Sequence, residues 1–300
     1  MNNSTRAIVI IISLLLLILI AFAVLNRGSR NQDINQNSTT TDEMDNTNSS
    51  IDGDVPEVGI VMWAGPSNAG ILSKQGSNLL VQRYEEYTDG ELIVDRSVSG
   101  GSGLLDPSLP PHKRWYTPEG GIRSQKMIED LEKLYQTTSK ANSGTEIIGV
   151  VWNNGVDQTA IYVDETVTEE EYRTALYNML TEWQQAAQAK GHDIKAFLVD
   201  AGTAPLHDGE DTARFREIEA EVFESHPIGV VATRGTTDEI MRNWHACSTD
   251  ECRRQWFETA GRDPDTGELY DPGYGVHWGP GSVELIIEEL AKTISVTAAK

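Results

Sequence analysis

Val58 to Gly70 reads VGIVMWAGPSNAG. Its first part, Val58–Ala64, is apolar and rich in Val and Ile, the pattern of a buried strand. The strand runs directly into Gly65-Pro66-Ser67-Asn68-Ala69-Gly70, a strand-to-helix turn. A serine at such a turn can expose its hydroxyl while nearby backbone N–H groups face a developing oxyanion. The same residues also fit a plain turn in which Ser67 caps the following helix. The turn is not a G-x-S-x-G elbow, because Ala69 occupies the last glycine position. No Gly-Lys-Ser/Thr follows, so it is not a phosphate loop either.

Outward from this turn the pattern repeats. Leu92–Val98, Ile147–Trp152, Ala196–Val199 and Ile228–Thr233 are further Val- and Ile-rich runs that read as strands. Helical segments alternate with them. Ile122 to Tyr135 is one, and Val283 to Ile294 is the last. Thr168 opens a T-x-x-E capping box with Glu171, followed at helical spacing by Tyr172, Ala175, Leu176, Met179, Leu180 and Trp183, with Gly191 as the stop. Phe215, Ile218, Val222 and Phe223 mark another helix. Alternating strands and helices imply an α/β domain over residues 57–300, with a mainly parallel sheet covered on both faces. Reactive groups in such sheets collect at the carboxyl ends of the strands.

The region before the domain has a different character. Ala7 to Leu25 is a 19-residue apolar run broken only by Ser13. As a helix it spans roughly 28 Å, close to the hydrocarbon thickness of a bilayer. Residues 1–25 therefore read as a transmembrane anchor, with Ala21-Phe22-Ala23 offering a cleavage sequence and hence a secreted form. Residues 26–56, rich in Asn, Ser, Thr and Asp, read as a disordered tether, and they hold the sequons at Asn37 and Asn48. Arg6 on one side and Arg27 and Arg30 on the other give charge asymmetry little to say about orientation.

The 300-residue chain carries 46 acidic and 24 basic residues, a formal net charge of -22. Such a surface repels phosphate backbones, which excludes nucleic acid as the expected partner. Cys247 and Cys252 are the only cysteines, and with four residues between them they can close a disulfide. A disulfide needs an oxidising compartment, and this pair together with the tether places the domain outside the cytoplasm. Two cysteines are too few ligands for structural zinc, so no metal is expected.

Three further segments could carry chemistry beside Ser67. Ser99-Gly100-Gly101-Ser102-Gly103 follows the second strand and lets a substrate approach the backbone closely. Asn153-Asn154-Gly155-Val156-Asp157 follows the third, where a carboxamide can donate to an oxyanion without adding charge. Near the C-terminus Tyr270-Asp271-Pro272-Gly273-Tyr274-Gly275-Val276-His277-Trp278 offers a histidine able to accept and return a serine proton. Each segment also has a plain reading, as a flexible loop, an Asn-Gly turn, or a loop histidine packed beside Trp278. Trp115, Trp152, Trp244 and Trp278 lie in or beside predicted loops, where they suit either sugar faces or core packing.

In their order and spacing these four segments resemble the sialate and acetylxylan O-acetylesterase branch of the SGNH hydrolases. That branch shows G-Q-S-N, a G-G-[ST] loop, W-x-Q-G-E, and D-x-x-H before the last helix. The resemblance covers roughly Val58 to Ile294 and implies a three-layer α/β/α, flavodoxin-like fold. It makes Ser67 the nucleophile and His277 the base, with the Ser67 N–H, the Gly101 N–H and the Asn154 side chain as oxyanion hole. No metal or organic cofactor is implied. The chain departs from the pattern at Pro66, Asn154 and Val156, and Tyr274 stands where the family places its triad Asp. Asp271, Asp157, or a Ser-His dyad without an acid are the alternatives. The expectation is a membrane-tethered serine esterase acting on acetylated glycans or another small acyl ester. The rivals are a catalytically impaired glycan-binding domain on the same fold and a structural surface protein.

Overall fold

The computed structural model describes residues 54–200, 209–258 and 277–299. The expected anchor and all of the expected tether but residues 54–56 lie outside them. Among the described residues no helix is long and apolar enough to cross a membrane.

Five strands, β1 (Val58–Gly65), β2 (Glu91–Val98), β3 (Thr145–Trp152), β4 (Lys195–Leu198) and β5 (Gly229–Val231), form one parallel sheet in the order β2-β1-β3-β4-β5. The helices are α1 (Ser67–Tyr87), α2 (Ile122–Thr138), α3 (Glu169–Gln188), α4 (Gly209–Ser225), α5 (Arg234–Ala246), α6 (Asp250–Arg254) and α7 (Pro280–Ala298). A second, two-stranded ladder pairs β6 (Phe257–Glu258) with β7 (His277–Trp278) in antiparallel fashion.

The alternation of side chains along β1 explains the three layers. Ile60, Met62 and Ala64 enter one core with residues of α2, α3 and α4, among them Met127, Leu176 and Phe215. Val61 and Trp63 enter the other with residues of α1, α5 and α7, including Leu72, Ile240 and Ile287. All eight residues of β1 are buried. A strand covered on both faces must be apolar throughout, as this one is. β2 at the sheet edge carries the exposed Asp95 and Arg96, charges that blunt an open strand edge.

The capping box at Thr168 forms in full. Its hydroxyl accepts from the Glu171 N–H while the Glu171 carboxylate accepts from the Thr168 N–H. The strand order reverses direction between β1 and β3, so the crevice of this fold opens at the carboxyl ends of those two strands. Ser67, Gly101 and Asn154 follow β1, β2 and β3 respectively.

Candidate active site

Gly65 closes β1 with φ 132°, and a Cβ there would overlap the Asn153 carbonyl oxygen. Only glycine fits both the backbone angle and the approach of the β3 loop. Pro66 is the N-cap of α1 and supplies no side-chain cap. Ser67 is therefore the first helical residue and not the cap, and its hydroxyl is not spent on the helix end. The N–H groups of the first turn lack intrahelical partners and carry the positive end of the helix dipole. Ser67 and Asn68 are both half-buried at this opening.

His277 begins β7 and is half-buried. The next N–H, that of Trp278, donates to the Asn68 Oδ1 at 3.3 Å. Burial pushes the His277 imidazole below the usual histidine value, while the Glu258 charge pulls it up. Glu258 is the register partner of His277 across the β6–β7 ladder. Asp271, the acid expected from sequence, lies outside the described residues.

The loop after β2 is fastened at several points. The Ser99 N–H donates to the Gly65 carbonyl at 3.1 Å, which ties it to the Ser67 turn. Gly101 is exposed with φ 62°, a left-handed conformation that glycine adopts without strain. Ser102 donates its hydroxyl to the Ser99 carbonyl at 2.7 Å and accepts the Trp115 indole N–H at 3.1 Å. Beyond it the wholly buried Asp157 carboxylate accepts the N–H groups of Leu104, Leu105 and Asp106 at 2.7, 3.0 and 3.1 Å. Burial raises the Asp157 pKa, and these donors oppose it.

The carboxamides after β3 are turned inward, away from the role expected of Asn154. Asn154 is fully buried, and its Nδ2 donates to Asp157 Oδ2 at 2.8 Å and to the Tyr172 hydroxyl at 2.9 Å. Both of its N–H groups are thereby engaged, and its oxygen accepts from Gly155 and Val156. Asn153 donates to the Val199 and Asp200 carbonyls. The Tyr172 hydroxyl donates to Glu219 Oε1 at 2.8 Å. Glu219 is buried, and burial drives its pKa well above the carboxylate range against the Tyr172 bond that lowers it. Asp157 is likewise committed to loop 104–106, which leaves it a clamp and not a partner of His277.

Trp115, Trp152 and Trp278 are core residues with at most 1 % exposure, so they offer no sugar platform. Only Trp244 of the four is half-buried. Cys247 and Cys252 form a disulfide that joins α5 to the short helix α6. Among the described residues no cluster of His, Cys, Asp or Glu could hold a metal ion.

No protein family pattern and no curated protein matches the sequence. Solved structures do resemble its backbone. NanS matches at 9% identity over 80% of this chain and 98% of its own, with a TM-score of 0.49. A protein from Slackia heliotrinireducens proposed to be an SGNH hydrolase matches at 16% identity, over 79% of this chain and 98% of its own, with a TM-score of 0.39. TesA matches at 13% identity over 78% and 97%, with a TM-score of 0.39. Likenesses of this size carry no residue-by-residue correspondence.

Proposed function

We propose that this domain is a serine esterase of the SGNH kind that removes O-acetyl groups from glycans. The observation that carries the reading is the bond between Trp278 and Asn68, which ties the segment of His277 to the turn of Ser67. The order of the four segments in the sequence adds to it. Ser67 Oγ attacks the acetyl carbonyl as its proton passes to His277, giving a tetrahedral oxyanion. The Ser67 and Gly101 N–H groups receive that oxyanion. Asn154 serves behind them, holding Asp157 and through it the loop.

Collapse of the intermediate breaks the ester C–O bond, and the sugar hydroxyl leaves with the proton from His277. Water, deprotonated by His277, then attacks the acetyl-serine and releases acetate, restoring Ser67 with its proton. The 19-residue apolar run and the disulfide support a membrane-tethered enzyme working outside the cytoplasm.

A second reading, a glycan-binding domain with impaired catalysis, draws on the inward-turned Asn154, which leaves the oxyanion fewer donors. Hydrolysis of p-nitrophenyl acetate by the full chain decides between them, with Ser67→Ala and His277→Ala beside it. Loss in both folded variants is the expected result. An inactive wild type, or variants that match it, overturns the esterase.

A further inference from the structure

β6 and β7 are two residues long, too short to stabilise a domain by themselves. What the ladder does is fix a register. Phe257 stands opposite Trp278 and Glu258 opposite His277. Residues directly opposite in an antiparallel pair project to the same face, with Cβ atoms about 4.5–5.5 Å apart. Neighbours along a strand project to opposite faces. The buried face is taken by Phe257 and Trp278, whose rings stack with centroids 5.6 Å apart. Glu258 and His277 must therefore share the other face.

The register is held from both sides. Beyond the ladder Gly279 N–H donates to the Trp256 carbonyl at 2.8 Å and Gly281 N–H to the Gln255 carbonyl at 2.7 Å. The Ser282 hydroxyl reaches the same Trp256 carbonyl. Trp278 is tied to Asn68 on α1. Before the ladder, the disulfide closes the turn from α5 into α6. A one-residue slip would exchange the stacked pair for the polar one, so the buried rings specify the pairing of Glu258 with His277.

We infer that Glu258 is the carboxylate that orients the His277 imidazole, a positioning residue in the place the sequence leaves without its acid. A carboxylate accepting one ring N–H fixes the tautomer whose other nitrogen can take the Ser67 proton, and stabilises the imidazolium once formed. The assignment rests on the Ser67–His277 esterase reading. Two features support it beyond register. The Glu258 charge raises the proton affinity of His277 against the lowering effect of its burial. The N-terminal turn of α1, also packed against β7, has no charged side chain before Lys74. On α6, Arg253 is turned toward Trp244 and Asp250, and Arg254 is exposed.

The test uses the full chain with p-nitrophenyl acetate, comparing Glu258→Gln, Glu258→Asp and Asp271→Asn, with folding checked by circular dichroism. Glu258→Gln should lower kcat by about 10² to 10⁴, the upper figure being the loss when a serine-protease triad acid becomes its amide. KM should stay within about twofold, because Glu258 does not touch substrate. The acid limb of kcat/KM should move to lower pH, since the group that raises the imidazole is gone. Glu258→Asp should recover part of the rate, and Asp271→Asn should leave it near wild type. An unchanged Glu258→Gln beside a collapsed Asp271→Asn overturns the inference while leaving the esterase standing. If the wild type hydrolyses nothing, the esterase reading fails, and NMR titration of the His277 ring still decides the pairing. There Glu258→Gln must lower the imidazole pKa, and an unshifted titration overturns the inference.

Discussion

The Trp278 backbone N–H and the Asn68 side-chain oxygen meet at 3.3 Å, and each is next in sequence to a candidate catalytic residue. This bond ties the His277 segment to the Ser67 turn and so helps set their separation. Asn68→Ala should therefore cost activity out of proportion to stability. A neutral hydrogen bond contributes about 0.5–1.5 kcal/mol net, so unfolding should shift by no more than that. The rate should fall about tenfold or more, because a small displacement between nucleophile and base is magnified in the barrier. Asn68→Asp, which keeps the oxygen, should retain more activity than the alanine. Paired urea unfolding and p-nitrophenyl acetate kinetics check both.

The pH dependence follows from the burial of His277. Its imidazole sits below the usual value of about 6.5. Activity that needs the neutral base should thus persist below pH 6.5 and fall as the folded-state pKa is crossed. The folded state binds fewer protons than the unfolded one in that window, so stability also declines as the pH drops through it. A kcat/KM profile whose acid midpoint lies at or above 6.5 contradicts this.

Asp157→Ala strips acceptors from Leu104, Leu105, Asp106 and Asn154 at once. Each buried donor left without a partner costs about 1–3 kcal/mol, so the loss should exceed about 3 kcal/mol. Asp157→Asn, with one oxygen remaining, should fall between the alanine and the wild type. Denaturant midpoints at constant m value measure the series.

Glu219 points the other way. Its raised pKa means the folded state holds a proton that the unfolded chain releases above about 4.5. Stability is therefore lost as the pH rises from there toward the folded-state value. Glu219→Gln keeps an oxygen for the Tyr172 hydroxyl and does not titrate. Its stability should change less between pH 5 and 8, and at pH 8 should equal or exceed that of the wild type. Chemical unfolding across that range decides it, and a variant with the wild-type slope refutes the assignment.

Much of the scaffold can be read from the chain. The five Val- and Ile-rich runs became the five strands because a parallel sheet buried on both faces needs continuous apolar residues. Thr168 and Glu171 announced their helix through local bonds alone. Helices α5 and α6 left a weaker trace, since RGTTDEIMRNWHA offers few apolar residues to set a period. The two-residue strands β6 and β7 leave none. Nothing local links Glu258 to His277; their pairing arises from tertiary register. The orientation of Asn154 was equally hidden. Its position after β3 follows from sequence, but what turns it inward is Tyr172, brought there by the packing of α3, together with Asp157, which is itself bound to the loop after β2. The Ser67, Gly101 and His277 loops lie at the strand ends or the final helix start, as the alternating pattern suggests.

The tryptophans buried beneath this site have an optical consequence. Trp152 meets Trp115 edge to face at 5.3 Å and Trp183 at 5.8 Å. Indoles this close and this rigidly held couple their transitions and give a strong near-ultraviolet circular dichroism band. Trp115 also donates to Ser102, the residue after Gly101. The chain thus contains its own spectroscopic gauge of the loop beside the candidate site, one that reports loop displacement without any added label.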